Sequence, residues 1–154
     1  MPASTSEESH EPDSACVFCG IVRGDVPAYV VSENELALAF LTLHDSALAP
    51  GHCLVIPKVH CVGVQDADSD ARHAVIDLCH DLAQSVTASD AGSGTNLLSA
   101  CGPGSDQCVP HWHMHVVPRR AGDGITTWPE HDSAVTEQAH VEAGQRVARV
   151  RAGH

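Results

Sequence analysis

The chain is short of aromatic rings, of cations and of long apolar runs, and each shortage removes a class of reading. With two Trp, one Tyr and two Phe among 154 residues, the core has to be built from Leu, Val, Ile and Ala, which leaves the few rings free for special duties. Lys and Arg number 8 against 20 Asp and Glu, a formal net charge of −12. That field repels phosphate backbones over long range, so a nucleic acid polymer is not an expected partner. A small anionic ligand stays compatible, because backbone N–H groups, imidazoles and a metal can oppose the global field locally. No apolar run reaches membrane-spanning length, and no basic start leads into an apolar segment of the secretory kind. The expectation is a cytoplasmic protein that does not engage a membrane.

Histidine, by contrast, is plentiful: there are 12, and three of them occupy every second position of HWHMHVVP at 111–118. In a β-strand successive side chains alternate faces, so His111, His113 and His115 line one side. Trp112, Met114 and Val116 take the other side and can do the burying. Three imidazoles in a row form a polar, proton-transferring surface.

Residues 1–15 are acidic and rich in Ser and Pro, and read as a disordered tail. Residues 16–154 read as a single domain. Val, Tyr and Leu over 28–32 and 35–43, parted by a turn at 32–34, predict a β-hairpin. After the Ala49-Pro50-Gly51 break, HCLVIPK predicts a third strand that ends at Pro57. Ala71, Val75, Leu78, Cys79, Leu82 and Val86 recur at three- and four-residue steps, which predicts a helix over 69–89 begun by Ser69 or Asp70. GTNLLSAC at 94–101 predicts a fourth strand, and VPHWHMHVVPR at 109–119 a fifth that bears the histidines. A final helix is predicted over 132–149. The order of elements predicts an α+β domain: an antiparallel sheet of about five strands, a long helix packed on it and a C-terminal helix. Of the remaining histidines only His52, in Pro50-Gly51-His52, has a suggestive context, where it reads as stabilising a turn.

Cys16 and Cys19 have the spacing of zinc ligands but supply half of a tetrahedral shell. His60, just past the third strand, and His111 are candidates to complete it. The rival readings are an inert Cys-x-x-Cys and a thioredoxin-like redox pair, the latter lacking its βαβ context. Cys53, Cys61, Cys79 and Cys101 lie in apolar segments, where a free Cys behaves as a small hydrophobe. The set of 7 cysteines reads as thiols in a reducing compartment rather than as a disulfide framework.

In this order and spacing the segments resemble the histidine triad (HIT) superfamily of nucleotide hydrolases and transferases. CVFCGIVRGDVPA is similar to the family's entry segment, APGHCLVIPKVH to its Pro-Gly-His and Ile-Pro-Lys-x-His signatures, and HWHMHVVPR to the motif that names the group. The resemblance covers residues 16–129. It implies a HIT-like fold, a homodimer that extends the sheet, and a small-molecule nucleotide or related phosphate compound as ligand. It further implies His113 as nucleophile, His115 at the phosphate oxygens and leaving group, Gln107 near the phosphate, and a structural, four-coordinate Zn2+ on Cys16, Cys19, His60 and His111. Trp128 is similar to a C-terminal aromatic that in some relatives approaches the site; anchoring the C-terminus is the alternative.

Departures from the family pattern gather on the substrate side. Thr42 stands where relatives carry an acid for ribose hydroxyls, Ala100 where they carry Asn, Asp106 where a glycine approaches the phosphate, and Cys108 where a hydroxyl donates. Asp106 brings a carboxylate toward an anion site, an unpaired-charge penalty that a substrate with a cationic group would relieve. The function expected is hydrolysis of a phosphoramidate, phosphoanhydride or phosphate ester at the α-phosphate through a nucleotidyl-histidine. The alternatives are a nucleotidyltransferase or phosphorylase with the same intermediate, and a binding module without catalysis.

Overall fold

The two central strands alternate small and large apolar side chains, and that alternation decides what covers each face of the sheet. In the computed structural model, which describes residues 15–128 and 134–152, the strands are β1 (Val30–Glu33), β2 (Ala37–Leu41), β3 (Cys53–Pro57), β4 (Gly94–Leu98) and β5 (Met114–Arg119). They form one five-stranded sheet in the order β1-β2-β3-β5-β4, antiparallel at every junction. The helices are α1 (Val17–Arg23), α2 (Ser69–Ala88) and α3 (Glu137–Ala152).

One face carries Ala37, Ala39, Cys53, Val55, Trp112 and Val116, all buried against α2. Small residues on β2 let the helix lie close, and Val75, Leu78, Cys79 and Leu82 fill the layer from the helix side. Each such buried aliphatic contributes about 1.5–3 kcal/mol, which makes α2 the principal cover of the sheet. Asp68 caps it, accepting the Ala71 N–H at 2.8 Å, one residue before the start expected from sequence. Asn34 ties the β1–β2 turn to the helix: its amide donates to the Ala74 carbonyl while its oxygen accepts from Leu36 and Ala37.

The opposite face carries Leu38, Phe40, Leu54 and Ile56, covered by Cys16, Phe18 and Cys19 of the first helix and its cap. Sequence periodicity does not predict α1. Its cap is a cysteine rather than Ser, Thr, Asp or Asn, and its end is Gly24 at φ 82°, the left-handed residue that commonly stops a helix.

Two strand expectations are corrected. The fifth strand begins at Met114, so His111 and His113 precede it, although the alternation holds: Trp112 points to the α2 side and the two histidines to the other. Nor is the histidine face an open surface, since His111 is 0 % and His113 2 % exposed. The C-terminal helix starts at Glu137, later than expected, and every side chain described on it is exposed. The tail expected at 1–15 lies, apart from Ala15, outside the described residues, as do positions 132 and 133. Among the described residues no helix is long and apolar enough to cross a membrane.

Candidate active site and metal centre

Cys16 caps α1 and Cys19 lies one turn in, so a single helical turn brings both thiols to one place, and the Cys19 N–H donates to Cys16 Sγ. His60 enters just after β3 and His111 just before β5. Cys16 Sγ is 3.4 Å from His111 Nδ1, Cys19 Sγ is 3.2 Å from His60 Nδ1, and Cys19 Sγ is 3.6 Å from His111 Nδ1. All four donor atoms lie within 4.8 Å of one another. A tetrahedral site with metal–sulfur near 2.3 Å and metal–nitrogen near 2.05 Å has S···N edges of about 3.6 Å, so the spacing is that of a ligand shell. His111 Nε2–H donates to the Pro57 carbonyl at 2.9 Å. That leaves the lone pair of Nδ1 toward the thiols, the tautomer a metal ligand needs. Burial pushes His111 down to about 4, with the Pro57 hydrogen bond opposing and His60 and His113 adding to the shift, so its ring is neutral near pH 7.

His113 is set by the same logic with the nitrogens exchanged. Its Nδ1 lies 2.8 Å from the His111 carbonyl oxygen; a carbonyl only accepts, so Nδ1 carries a proton and the lone pair of the neutral tautomer is on Nε2. Ser99 Oγ donates to the His113 carbonyl at 2.7 Å. The ring of Phe18 meets His113 edge-on at 5.3 Å and His111 at 5.8 Å, so α1 seals both imidazoles from that side.

His115, opposite Leu54 in the β3–β5 ladder, lies on the same face with its ring 5.2 Å from that of His113. Burial first, then His113 and His52, push it down to about 4. Its Nδ1 is 2.9 Å from Nε2 of His52, a residue read from sequence as a turn stabiliser only. Strand parity would have found the contact, since His52 is even-numbered like Leu54 and Ile56 and shares their face.

The remaining candidates divide. Thr42 donates both its N–H and its hydroxyl to the His52 carbonyl, at 3.1 and 3.3 Å, and with His52 and His44 lines a cleft of about 390 Å³. Gln107 ties its own loop to the segment after β3: its oxygen accepts the Gly102 N–H, and its amide donates to the Val109 carbonyl and to that of Val62. Asp106 is exposed and holds φ 61°, a left-handed conformation that Asp tolerates better than most residues. Cys108 is an exposed free thiol, and Trp128 is 79 % exposed. Arg119 anchors the loop before Trp128 through Asp123, Asn96 and the Ile125 carbonyl.

A family model described as HIT domain matches residues 23–122. An uncharacterized HIT-like protein of Borreliella burgdorferi is 37% identical over 112 residues, 71% of this chain and 79% of that protein. The adenosine 5'-monophosphoramidase hnt1 of Schizosaccharomyces pombe is 32% identical over 120 residues, 76% of this chain and 85% of its own. Among solved structures, a Zn-bound histidine triad family protein from Mycobacterium smegmatis is similar with a TM-score of 0.68 at 30% identity, covering 91% of this chain and 98% of that one.

Proposed function

Because the chain belongs to the HIT domain family, we propose that it hydrolyses a nucleoside phosphoramidate, phosphoanhydride or phosphate ester at the α-phosphate, with His113 as the nucleophile. The observation that carries this reading is the His113 Nδ1–H bond to the His111 carbonyl, which puts the lone pair of the neutral ring on Nε2 and fixes its direction. In the first step the Nε2 lone pair forms a bond to phosphorus and the bond from phosphorus to the leaving group breaks. His115 gives its Nε2 proton to the departing nitrogen or oxygen, and the negative charge left on its ring is held by the hydrogen bond between its Nδ1 and His52 Nε2 and by the cationic His113 beside it until water returns the proton. His113, now substituted on both nitrogens, is cationic, and the His111 carbonyl takes a charge-assisted hydrogen bond from it. In the second step water attacks phosphorus, its proton returns to His115, and the electrons of the P–N bond return to His113 Nε2.

Cys16, Cys19, His60 and His111 are the residues that would hold Zn2+, a role supported by their spacing and by the His111 tautomer. A bound ion would join α1 to the segment after β3 and the segment before β5, a structural role. Leu97 on edge strand β4 is 44 % exposed, which suits the pairing of a second copy along that edge in a homodimer. Seven cysteines outside any disulfide suit a cytoplasmic location.

The test is to quench the protein in acid-free denaturant during turnover of adenosine 5'-phosphoramidate and weigh it. The expected result is a protein heavier by one nucleotidyl group carried on the peptide that contains His113, with no adduct in His113→Ala. Turnover by His113→Ala at the wild-type rate would refute the assignment.

A further inference from the structure

We propose that His52 is a positioning residue that makes His115 a proton donor, and that it does so through the grip of the 43–51 loop on its ring. The inference rests on the hydrolytic reading above for its consequence but not for its geometry.

His52 is 3 % exposed, and each of its polar groups is engaged. Its N–H donates to the Ala49 carbonyl at 3.1 Å, and its carbonyl accepts from the N–H and hydroxyl of Thr42. Its Nδ1 accepts the Leu48 N–H at 3.1 Å, and its Nε2 lies 2.9 Å from His115 Nδ1. The proton positions follow from one fact: a backbone N–H only donates. Nδ1 of His52 must therefore be bare, and the single proton of the neutral ring sits on Nε2. That proton points at His115 Nδ1, which in turn must be bare. The single proton of neutral His115 is thus placed on its Nε2, the nitrogen not occupied by His52. Stabilising the turn accounts for the main chain of His52 and for its Nδ1 at the Leu48 N–H; the Nε2 contact has no part in that and reaches instead to the reactive face.

The chain of dependence runs from the Leu48 amide through two rings. A neutral imidazole left to itself divides between two tautomers, and in one of them His115 Nε2 has no proton to give. The His52 bond removes that tautomer, and the Leu48 bond removes the tautomer of His52 that would do the reverse.

Two substitutions separate these duties, because the Asn side chain presents its oxygen near the place of Nδ1 and the Gln side chain its nitrogen near that of Nε2. His52→Asn keeps an acceptor for Leu48 and loses the donor to His115. His52→Gln keeps the donor and loses the acceptor. The first readout is the nitrogen-15 spectrum of histidine-labelled protein at neutral pH, which distinguishes protonated from bare ring nitrogens without any substrate. His115 is expected to be protonated on Nε2 alone in the wild type and in His52→Gln, and to be mixed in His52→Asn. The second readout compares an adenosine 5'-phosphoramidate with an amine leaving group and an adenosine 5'-(4-nitrophenyl phosphate), whose leaving phenolate needs no proton. In His52→Asn, kcat on the amine substrate should fall about tenfold or more while kcat on the aryl ester changes by less than about threefold, and His52→Gln should keep both. A proton on His115 Nδ1 in the wild type overturns the proposal whether or not either substrate turns over. So does an His52→Gln enzyme as impaired on the amine substrate as His52→Asn. Absence of wild-type turnover on both substrates would instead sink the hydrolytic reading and leave the spectrum to decide the tautomer.

Discussion

Stripping the metal from the Cys16, Cys19, His60 and His111 centre of the metal-loaded protein should lower its melting temperature by about 8–16 °C. The magnitude follows from what the four donors join. Cys19 meets His60 across 41 positions of chain and Cys16 meets His111 across 95. Closing a loop of some 41 residues restricts the unfolded chain by about 4 kcal/mol on the chain-entropy estimate for a covalent link. A domain of this size loses about 2–4 °C per kcal/mol, which gives the range. Three of the four donors are buried, Cys19 at 1 % and His111 at 0 % exposed, and His60 is half-buried, so removal leaves mostly buried donor atoms facing one another without the ion that joined them. The assay is thermal denaturation with and without a chelator, with elemental analysis before and after, and with zinc added back. Cys19→Ala should already melt low and respond no further to chelator, whereas Cys61→Ala, a buried thiol outside the centre, should keep the full response. A protein shown to have lost its metal while its melting temperature moves by less than about 2 °C would refute the idea that the centre holds the fold together.

Other substitutions and conditions bear on the same structure. Phe18→Ala removes a ring packed edge-on against Phe40, His111 and His113 and should cost about 3–5 kcal/mol in chemical denaturation, as large-to-small core changes do. Gly92→Ala would set a Cβ 2.9 Å from Val86 Cγ1 and 3.0 Å from the Arg119 carbonyl oxygen; with backbone on one side the strain cannot relax, and a loss of about 1–3 kcal/mol is expected by the same measurement. Asp68→Ala deletes the α2 cap and should cost about 1 kcal/mol. Stability should also depend on pH through His115, which is held down to about 4 from an ordinary value of 6.5. Between those values the unfolded chain binds the proton that the native state refuses, so the contribution is complete above pH 6.5 and is lost as pH falls toward 4. Melting temperature against pH should show this slope, and His115→Phe should make it shallower, leaving the share that His111 contributes over the same window.

Sequence carried the reactive half of the site and missed much of what holds it. Alternation in HWHMHVVP placed His113 and His115 on one face because strand parity survives even where, as at 111–113, ladder pairing has not begun. The periodicity of α2 was legible for the same reason: six apolar residues at helical steps, all buried. The helix α1 was not legible. Seven residues are too few to show a period, and its cap is a thiol, whose role as an acceptor for the Cys19 N–H belongs to no common capping rule. The juxtaposition of Cys16 and Cys19 with His60 and His111 was an expectation of the sequence, but nothing there singled out Phe18 as the ring that covers His111 and His113. His52 was hidden by its neighbours, because Pro50-Gly51 invites a turn reading that is true of its backbone and of its Nδ1 and silent about its Nε2. Gln107 is the converse case, a residue carried over by resemblance whose amide is spent on main-chain carbonyls of its own loop and of the segment after β3.

The proton positions on the imidazoles have an unusual kind of inheritance. His111 is fixed by the carbonyl of Pro57, His113 by that of His111, and His52 by the N–H of Leu48, and all three are main-chain atoms. Every residue supplies a carbonyl and every residue but proline an N–H, so exchange of the side chains at 48 and 57 leaves these settings in place. Drift at those positions is therefore silent toward the histidines, with Leu48→Pro the one replacement there that deletes an anchor outright. A descendant of this chain could replace both residues and still receive the same protonation pattern, provided that it kept the path of the backbone.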